Sequence, residues 1–173
     1  AQPWFMNFSI GDTNLCDLDA LIIKKVGREY SPDLLDRLEL LRFIESTGVR
    51  IFSKPGSIMR LLDRLSCTVT LRAGGIPLPP TVVTPSIERA TEAIRNFGAA
   101  VLKPMYSTKA RGMKLIEDDG KTNIAAEVKA FQEDGNPTMY IQKKIDIPGR
   151  DIGIVFLGGE YVGTYARVGN KDS

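Results

Sequence analysis

The sequence predicts an α/β layer followed by an α+β unit, with the change of character near Gly75. Before Gly75, apolar runs at residues 20–23 and 49–52 flank a segment with helical leucine spacing, which is the alternation of a βα layer. After Gly75, short apolar runs separated by tight turns predict a mostly antiparallel sheet with two helices. Residues 76–81 (IPLPPT) are extended by their prolines and are predicted to link the two parts.

The elements of the first part follow from local signals. Ser31 and Pro32 have the residue types of an N-cap and a first helical position, and Gly48 is typical of a helix end. Leucines between them recur at helical spacing, whereas the flanking apolar runs are short enough for strands. We therefore expect, in chain order, a strand at residues 20–23, a helix from Ser31 to Gly48, a strand at 49–52, and helices at 57–62 and 63–73.

The second part is read in the same way. Either Thr84 or Ser86 caps a helix with apolar residues at positions 87, 90, 94 and 97, and either Thr122 or Asn123 starts another. A Gly158-Gly159 turn between two apolar runs predicts a hairpin. We expect strands at residues 81–83, 99–102, 113–117, 139–143, 152–157 and 161–167, with the two helices ending at residues 97 and 131.

Composition excludes several function classes. The 173 residues fit one domain or two small ones, with 43% hydrophobic and 25% charged residues. Lys and Arg number 23 against 21 Asp and Glu, so the chain is not a strongly basic nucleic-acid binder, although a local basic groove stays open. The absence of histidine excludes Ser–His and Cys–His catalysis and His-ligated zinc within this chain. We expect neither nucleic acid nor a membrane as partner.

The two cysteines, Cys16 and Cys67, lack metal or redox spacing, so we expect buried apolar thiols and a reducing cytoplasm. No apolar run approaches the ~20 residues that cross a bilayer. The N-terminus has no basic region before an apolar core, and therefore no signal peptide is predicted. The chain also lacks an initiator methionine, and we expect it to be a piece of a longer protein that is truncated at both ends.

A candidate phosphate site follows the strand at residues 99–102. Lys103 ends this apolar run, where burying a lysine is costly without an anionic partner. The next segment, residues 107–112, is small, polar and basic, and its backbone amides, Lys109 and Arg111 suit a polyphosphate. The alternative is a surface lysine followed by a solvated turn.

Six segments in a fixed order, spread over nearly the whole chain, carry weak signals: LDR at 62–64, GIPLPPT at 75–81, VLKP at 101–104, the flap at 107–112, IQKKI at 141–145 and GRDI at 149–152. Together they resemble the ATP-grasp family. The resemblance is closest to glutamate ligases that modify ribosomal protein and to glutathione-synthetase-like relatives. Residues 106–112 (YSTKARG) are also similar to the GAK-system ATP-grasp proteins.

The resemblance implies a domain division and an activity. Residues 1–75 would be a partial pre-ATP-grasp domain with its linker helix, and residues 76–173 the nucleotide-binding domain without its C-terminal metal-binding part. The implied reaction joins a small-molecule or peptide carboxylate to an amine, using ATP and Mg²⁺, through an acyl-phosphate. Because the magnesium ligands of the family lie beyond this chain, we expect the chain alone to be inactive. The resemblance does not decide the oligomeric state, and a homo-oligomer is one alternative.

The resemblance also implies roles for single residues. Arg64 and Lys103 would bind the α- and β-phosphates, and Arg167 would act in catalysis by neutralising the transferred phosphate. Asp151 would lie near the ribose. The alternatives are a carboxylate partner for Arg64, a turn cap for Asp151 and a sheet-surface charge for Arg167. The remaining expected contacts are flap residues Ser107, Thr108, Lys109, Arg111 and Gly112 on the β- and γ-phosphates, and hinge residues Gln142, Lys143, Lys144 and Ile145 on adenine through their backbone.

Three departures from the family pattern stand out. The flap has one glycine, Gly112, where relatives have two or three, Lys143 replaces the usual hinge glutamate, and Gly153 stands where relatives often have arginine. A non-catalytic nucleotide-binding or scaffold module is therefore an alternative. A kinase-like phosphotransferase is a weaker one, because its glycine loop precedes the strand lysine whereas this loop follows Lys103.

Overall fold

A parallel strand pair joined by a helix forms the core of the first part. The computed structural model describes residues 8–26, 33–107 and 111–168. A small antiparallel pair, β1 (Ser9–Ile10) and β2 (Thr13–Asn14), comes first and has no apolar pattern that predicts it. Strand β3 (Ala20–Ile22) connects through α1 (Asp33–Ser46) to β4 (Arg50–Phe52), which pairs with it in parallel and so confirms the βα layer. The predicted cap at Ser31 and Pro32 lies outside the described residues.

Asp63 separates two consecutive helices, α2 (Pro55–Leu62) and α3 (Arg64–Ala73). Its backbone N–H donates to the Met59 carbonyl and closes α2. Its carboxylate accepts the N–H groups of Leu65 and Ser66, which have no partner inside the helix, and so caps α3. Arg64 is thereby fixed as the first residue of α3.

An antiparallel sheet with two helices forms the second part, as predicted. Ser86 rather than Thr84 caps the first helix, since its hydroxyl accepts the N–H of Arg89. Asn123 caps the second helix by accepting the N–H of Ala126. The sheet order is β5-β8-β6-β7. Its members are β5 (Thr81–Thr84), β6 (Ala99–Lys103), β7 (Lys114–Glu117) and β8 (Met139–Lys143), with helices α4 (Ile87–Phe97) and α5 (Ile124–Glu133).

The two faces of this sheet have different partners, because side chains alternate along each strand. On β6, Leu102 is fully buried in the core that α4 and α5 form with the sheet. Lys103 points to the other face, opposite Tyr140 of β8, and Gln142 shares that face two residues further on. Helix α3 covers this second face, where the Thr68 hydroxyl bonds the Tyr140 hydroxyl at 2.8 Å.

The predicted hairpin is confirmed as a two-stranded sheet of its own. Strands β9 (Arg150–Leu157) and β10 (Glu160–Val168) pair antiparallel around Gly158 and Gly159, which both have positive φ angles. The register shifts between Tyr161 and Gly163. Among the helices that the structure describes, none is long and apolar enough to cross a membrane.

The buried face of β6 yields a stability prediction. Truncation of fully buried Leu102 in Leu102→Ala leaves a cavity in the core, and we expect the free energy of unfolding to fall by about 2–5 kcal/mol. The matched control is Leu115→Ala on neighbouring β7, where the side chain is 49% exposed; we expect a loss below about 1 kcal/mol. Urea unfolding of both variants measures the difference, and equal losses would contradict the assignment of faces.

Candidate functional site

A pocket of about 380 Å³ lies between α3 and the second face of the sheet. It brings together four residues that the sequence singled out, which are Arg64, Lys103, Ser107 and Gln142. The lining combines these polar groups with apolar side chains. The remaining lining residues are Leu61, Cys67, Thr68, Leu71, Leu78 and Tyr140.

Arg64 is held at the pocket by groups from the end of β6 and beyond. Its backbone N–H donates to the Met105 carbonyl at 3.0 Å. Its guanidinium donates through Nε to the Pro104 carbonyl at 2.9 Å and through Nη2 to Ser107 Oγ at 3.0 Å. The same guanidinium lies 5.7 Å from the Tyr140 ring centroid, which is a cation–π distance. Within the described ranges no carboxylate pairs with Arg64, contrary to the alternative that the sequence left open.

Lys103 ends β6 on the pocket face and is half-buried. Its ammonium donates to Gln142 Oε1 at 2.7 Å. Burial lowers the pKa of Lys103 below its ordinary value, and the positive charge of nearby Arg64 lowers that pKa further. Burial likewise lowers the pKa of Arg64, although a guanidinium stays charged at neutral pH. The folded protein therefore holds two close cations in surroundings that disfavour charge.

The Gln142 side chain makes hydrogen bonds of its own, in addition to the strand pairing of this residue in β8. Its amide nitrogen donates to Thr81 Oγ1 at 3.1 Å and to the Tyr140 hydroxyl at 3.3 Å. The sequence did not single out Tyr140 or Thr68, although both line the pocket. Strand alternation could have indicated Tyr140, because residues two positions apart in a strand share a face and Gln142 was already a candidate.

This arrangement favours a polyanion. Arg64 and Lys103 each have neutral oxygen acceptors, and no Asp or Glu is among the described residues that line the pocket. Half-buried like charges repel one another, and an anion between them removes that repulsion while gaining charge-assisted hydrogen bonds.

The flap is tied to Arg64 at its start and turns at its end. Ser107 Oγ accepts from Arg64 and donates to the Arg111 carbonyl at 3.4 Å. Gly112 has a φ of +66°, and a Cβ there would lie 2.9 Å from Pro104 Cγ, so this turn requires glycine. Two of the predicted flap contacts, Thr108 and Lys109, lie outside the described residues.

The hinge residues Lys143, Lys144 and Ile145 are exposed and do not line the pocket. The N–H groups of Lys143 and Lys144 donate at 2.9 Å to the carbonyls of Pro80 and Ala99. The Lys144 ammonium also bonds Glu117 at 2.8 Å, and this partner raises the pKa of Lys144. Two backbone donors of the predicted adenine segment are thus already used within the sheet.

Asp151 and Arg167 bind each other across the β9–β10 hairpin. Arg167 donates from Nε to Asp151 Oδ1 at 2.9 Å and from Nη2 to Oδ2 at 2.6 Å. This bidentate pair raises the pKa of Arg167. Both side chains are exposed, and neither lines the pocket, so their roles towards ribose and phosphate stay predictions.

Comparisons with known proteins give matches over most of the chain. A family model described as "Prokaryotic glutathione synthetase, ATP-grasp domain" matches residues 74–173. The chain is 34% identical over 170 residues to tetrahydromethanopterin:alpha-L-glutamate ligase of Methanosarcina acetivorans, covering 92% of this chain and 52% of that protein. It is 28% identical over 127 residues to glutamate–LysW ligase ArgX of Sulfolobus acidocaldarius, covering 72% and 45%.

The fold is shared with a solved structure. The crystal structure of a RimK domain ATP-grasp protein from Sphaerobacter thermophilus matches with a TM-score of 0.69 and 25% identity, over 88% of this chain and 56% of that one. The chain spans about half the length of the curated relatives it matches.

The lowered pKa of Lys103 yields a pH prediction. In the unfolded chain the pKa of this lysine is about 10.4, and in the folded protein its pKa is lower. The unfolded state therefore binds more protons between the two values, and the stability of wild type relative to Lys103→Met rises with pH through that window.

Urea unfolding at several pH values from neutral to about 10 measures this difference. Lys129→Met removes an exposed lysine of α5 and controls for general alkaline titration. If the free energy of unfolding of wild type relative to Lys103→Met stays constant or falls as the pH rises, the prediction is wrong.

Proposed function

We propose a function for this chain from one premise, which is that the chain belongs to the ATP-grasp family. The proposed function is the ATP-binding part of a ligase that joins a carboxylate to an amine through an acyl-phosphate. The observation that carries the proposal is the pair of half-buried cations, Arg64 and Lys103, in one pocket whose described lining contains no carboxylate.

The proposed reaction has two steps. The substrate carboxylate attacks the γ-phosphorus of ATP, the bond from that phosphorus to the bridging oxygen breaks, and ADP leaves. The amine then attacks the acyl carbon, the bond from that carbon to the phosphate oxygen breaks, and inorganic phosphate leaves with the proton that the amine loses as the amide forms. Arg64 and Lys103 would bind the α- and β-phosphates and stabilise the negative charge that builds up on the departing ADP.

The proposal also includes the flap, the hinge and Arg167, and the hydrogen bonds described above modify the contact expected of each. The flap would cover the β- and γ-phosphates, with Ser107 already oriented by Arg64. In the hinge, adenine would meet carbonyl oxygens or Ile145, because the N–H groups of Lys143 and Lys144 are used within the sheet. Arg167 would reach a transferred phosphate only by sharing or leaving its partner Asp151.

The described residues of this pocket provide no carboxylate ligand for magnesium. Mg²⁺ in nucleotide sites is held by one or two carboxylates together with the phosphates. The lining contributes hydroxyl, amide, ammonium and guanidinium groups, and the described part of the chain holds no group of three or more His, Cys, Asp or Glu side chains that could bind a metal ion. These residues do not fit a magnesium site, and no step of the proposed reaction is assigned to the metal here.

The names of the relatives suggest substrates to test. Two of them are ligases with glutamate in their names, so we propose glutamate as the first amine substrate to try, with small-molecule and peptide carboxylates as its partners. We also propose that two domains meet near residue 75, that the protein forms a homo-oligomer, and that it works in a reducing cytoplasm. The last is supported by Cys16 and Cys67, which are both free thiols.

We expect Lys103→Met to weaken ATP binding tenfold or more, because it removes a charge-assisted contact from a half-buried site. Isothermal titration calorimetry measures the affinity. The control Lys129→Met makes the same change on exposed α5, away from the pocket, and should leave it unchanged. An equal affinity in Lys103→Met and wild type would remove Lys103 from the site.

The ligase proposal itself is tested by ADP release from the full-length protein. We expect release that depends on a carboxylate and is stimulated by an amine such as glutamate. ATP binding without such release would favour the non-catalytic nucleotide-binding module instead.

A further inference from the structure

We propose that Gln142, Tyr140 and Thr68 form a hydrogen-bond relay that positions the Lys103 ammonium relative to Arg64. The inference rests on the proposed function, because it names positioning residues of the same site. It gives the Gln142 side chain a role towards the phosphate-binding lysine, separate from any backbone contact with adenine.

The direction of every bond in the relay follows from its two ends. Lys103 can only donate, so Gln142 Oε1 accepts and the amide nitrogen faces Tyr140 and Thr81 as a donor. The Tyr140 hydroxyl accepts from Gln142 and gives its own proton to Thr68 Oγ1. Thr68 in turn donates to the Arg64 carbonyl at 2.8 Å. Each hydroxyl therefore has one donor and one acceptor partner.

Thr81 locks the same amide from the other side. Its hydroxyl donates to the Pro79 carbonyl at 2.9 Å, so it can only accept from Gln142. A flipped amide would turn Nε2 towards the Lys103 ammonium and Oε1 towards Thr81, placing donor against donor and acceptor against acceptor. The orientation of Gln142 is thus fixed by three neighbours.

Tyr140 joins the two cations through one side chain. Its ring lies under the Arg64 guanidinium, and its hydroxyl leads through Gln142 to Lys103. Only 3% of Tyr140 is exposed, so its position is set by packing between α3 and the sheet. The separation of the two positive groups is therefore fixed by a rigid buried residue rather than by the long side chains themselves.

A neutral acceptor at position 142 has a specific advantage. Gln142 uses one of the three ammonium protons of Lys103 and leaves two for a ligand. A carboxylate there would hold the lysine equally well but would neutralise the charge that attracts phosphate. Glutamine orients the lysine and keeps the pocket positive.

A double-mutant cycle tests positioning against a merely structural role. Tyr140→Phe keeps the ring and removes the hydroxyl, and we expect it to weaken ATP and tripolyphosphate binding several-fold in wild type but not in Lys103→Met. Equal effects of Tyr140→Phe in both backgrounds would overturn the relay. Thr68→Val, which removes the next hydroxyl, should show the same dependence on Lys103.

Tyr161→Phe is the matched control. It removes a tyrosine hydroxyl that bonds a threonine, Thr164, at the same 2.8 Å on the β10 strand, away from the pocket. We expect this variant to bind both ligands as wild type does.

The charge argument is tested by Gln142→Glu. We expect at least a tenfold loss of tripolyphosphate affinity, whereas Gln132→Glu, which adds the same charge on α5, should change affinity less than twofold. Unchanged binding in Gln142→Glu would contradict the proposed need for a neutral acceptor.

A measurement without any ligand separates the relay from the proposed function. The ¹³Cδ signal of Gln142 and the ¹³Cε signal of Lys103 should titrate together in NMR spectra, and Gln142→Glu should raise the pKa of Lys103. Arg64, Tyr140 and Cys67 are the other ionisable groups on this pocket, so the titration is repeated in Tyr140→Phe. Independent titrations of the two signals would overturn the relay even if ATP binds; a shared titration would support it even if ATP does not.

Discussion

The pocket depends on keeping two positive charges, one on α3 and one on β6, close together without cancelling either. Both Arg64 and Lys103 are held by neutral oxygens, which are the Pro104 carbonyl, the Ser107 hydroxyl and the Gln142 amide. Neutral acceptors fix a cation in place and leave its charge available, although burial then disfavours the charged form. Burial of the charged Lys103 therefore costs the ligand-free protein stability at neutral pH, and an anionic ligand that binds only the folded state adds stability.

Most elements of the fold could be predicted to within a few residues because their signals are local, whereas the β1–β2 pair has no apolar pattern that predicts it. Ser86 and Asn123 cap helices through bonds to residues three positions away, and the apolar runs at 99–102 and 139–143 are short enough to be strands only. The site was predicted in part. Lys103 could be found because a lysine ending a buried run is conspicuous, whereas the Thr68–Tyr140 bond joins residues 72 positions apart and no local pattern encodes it.

The β9–β10 hairpin shows a different limit. The sequence predicts its turn at Gly158 and Gly159. The pairing of Asp151 with Arg167 could not be predicted, because it depends on the register of the two strands, which shifts near Tyr161. The same register lays the Tyr165 ring over Gly153, where even a Cβ atom would overlap it. An arginine at position 153 would need Tyr165 to move. Glycine and tyrosine are therefore best understood as a cross-strand pair that fills this space together.

The linker helix α3 belongs to the pocket even though a division near residue 75 would assign it to the first part. The family model begins at residue 74 and so leaves out Arg64. In the structure, Asp63 pairs with Tyr106, and the Arg64 backbone bonds Met105 just beyond β6. The cap that starts α3 therefore also places Arg64 beside the end of β6. A fragment cut at the sequence boundary would lack Arg64, one of the two cations that line the pocket, and we therefore propose that the nucleotide-binding unit includes α3.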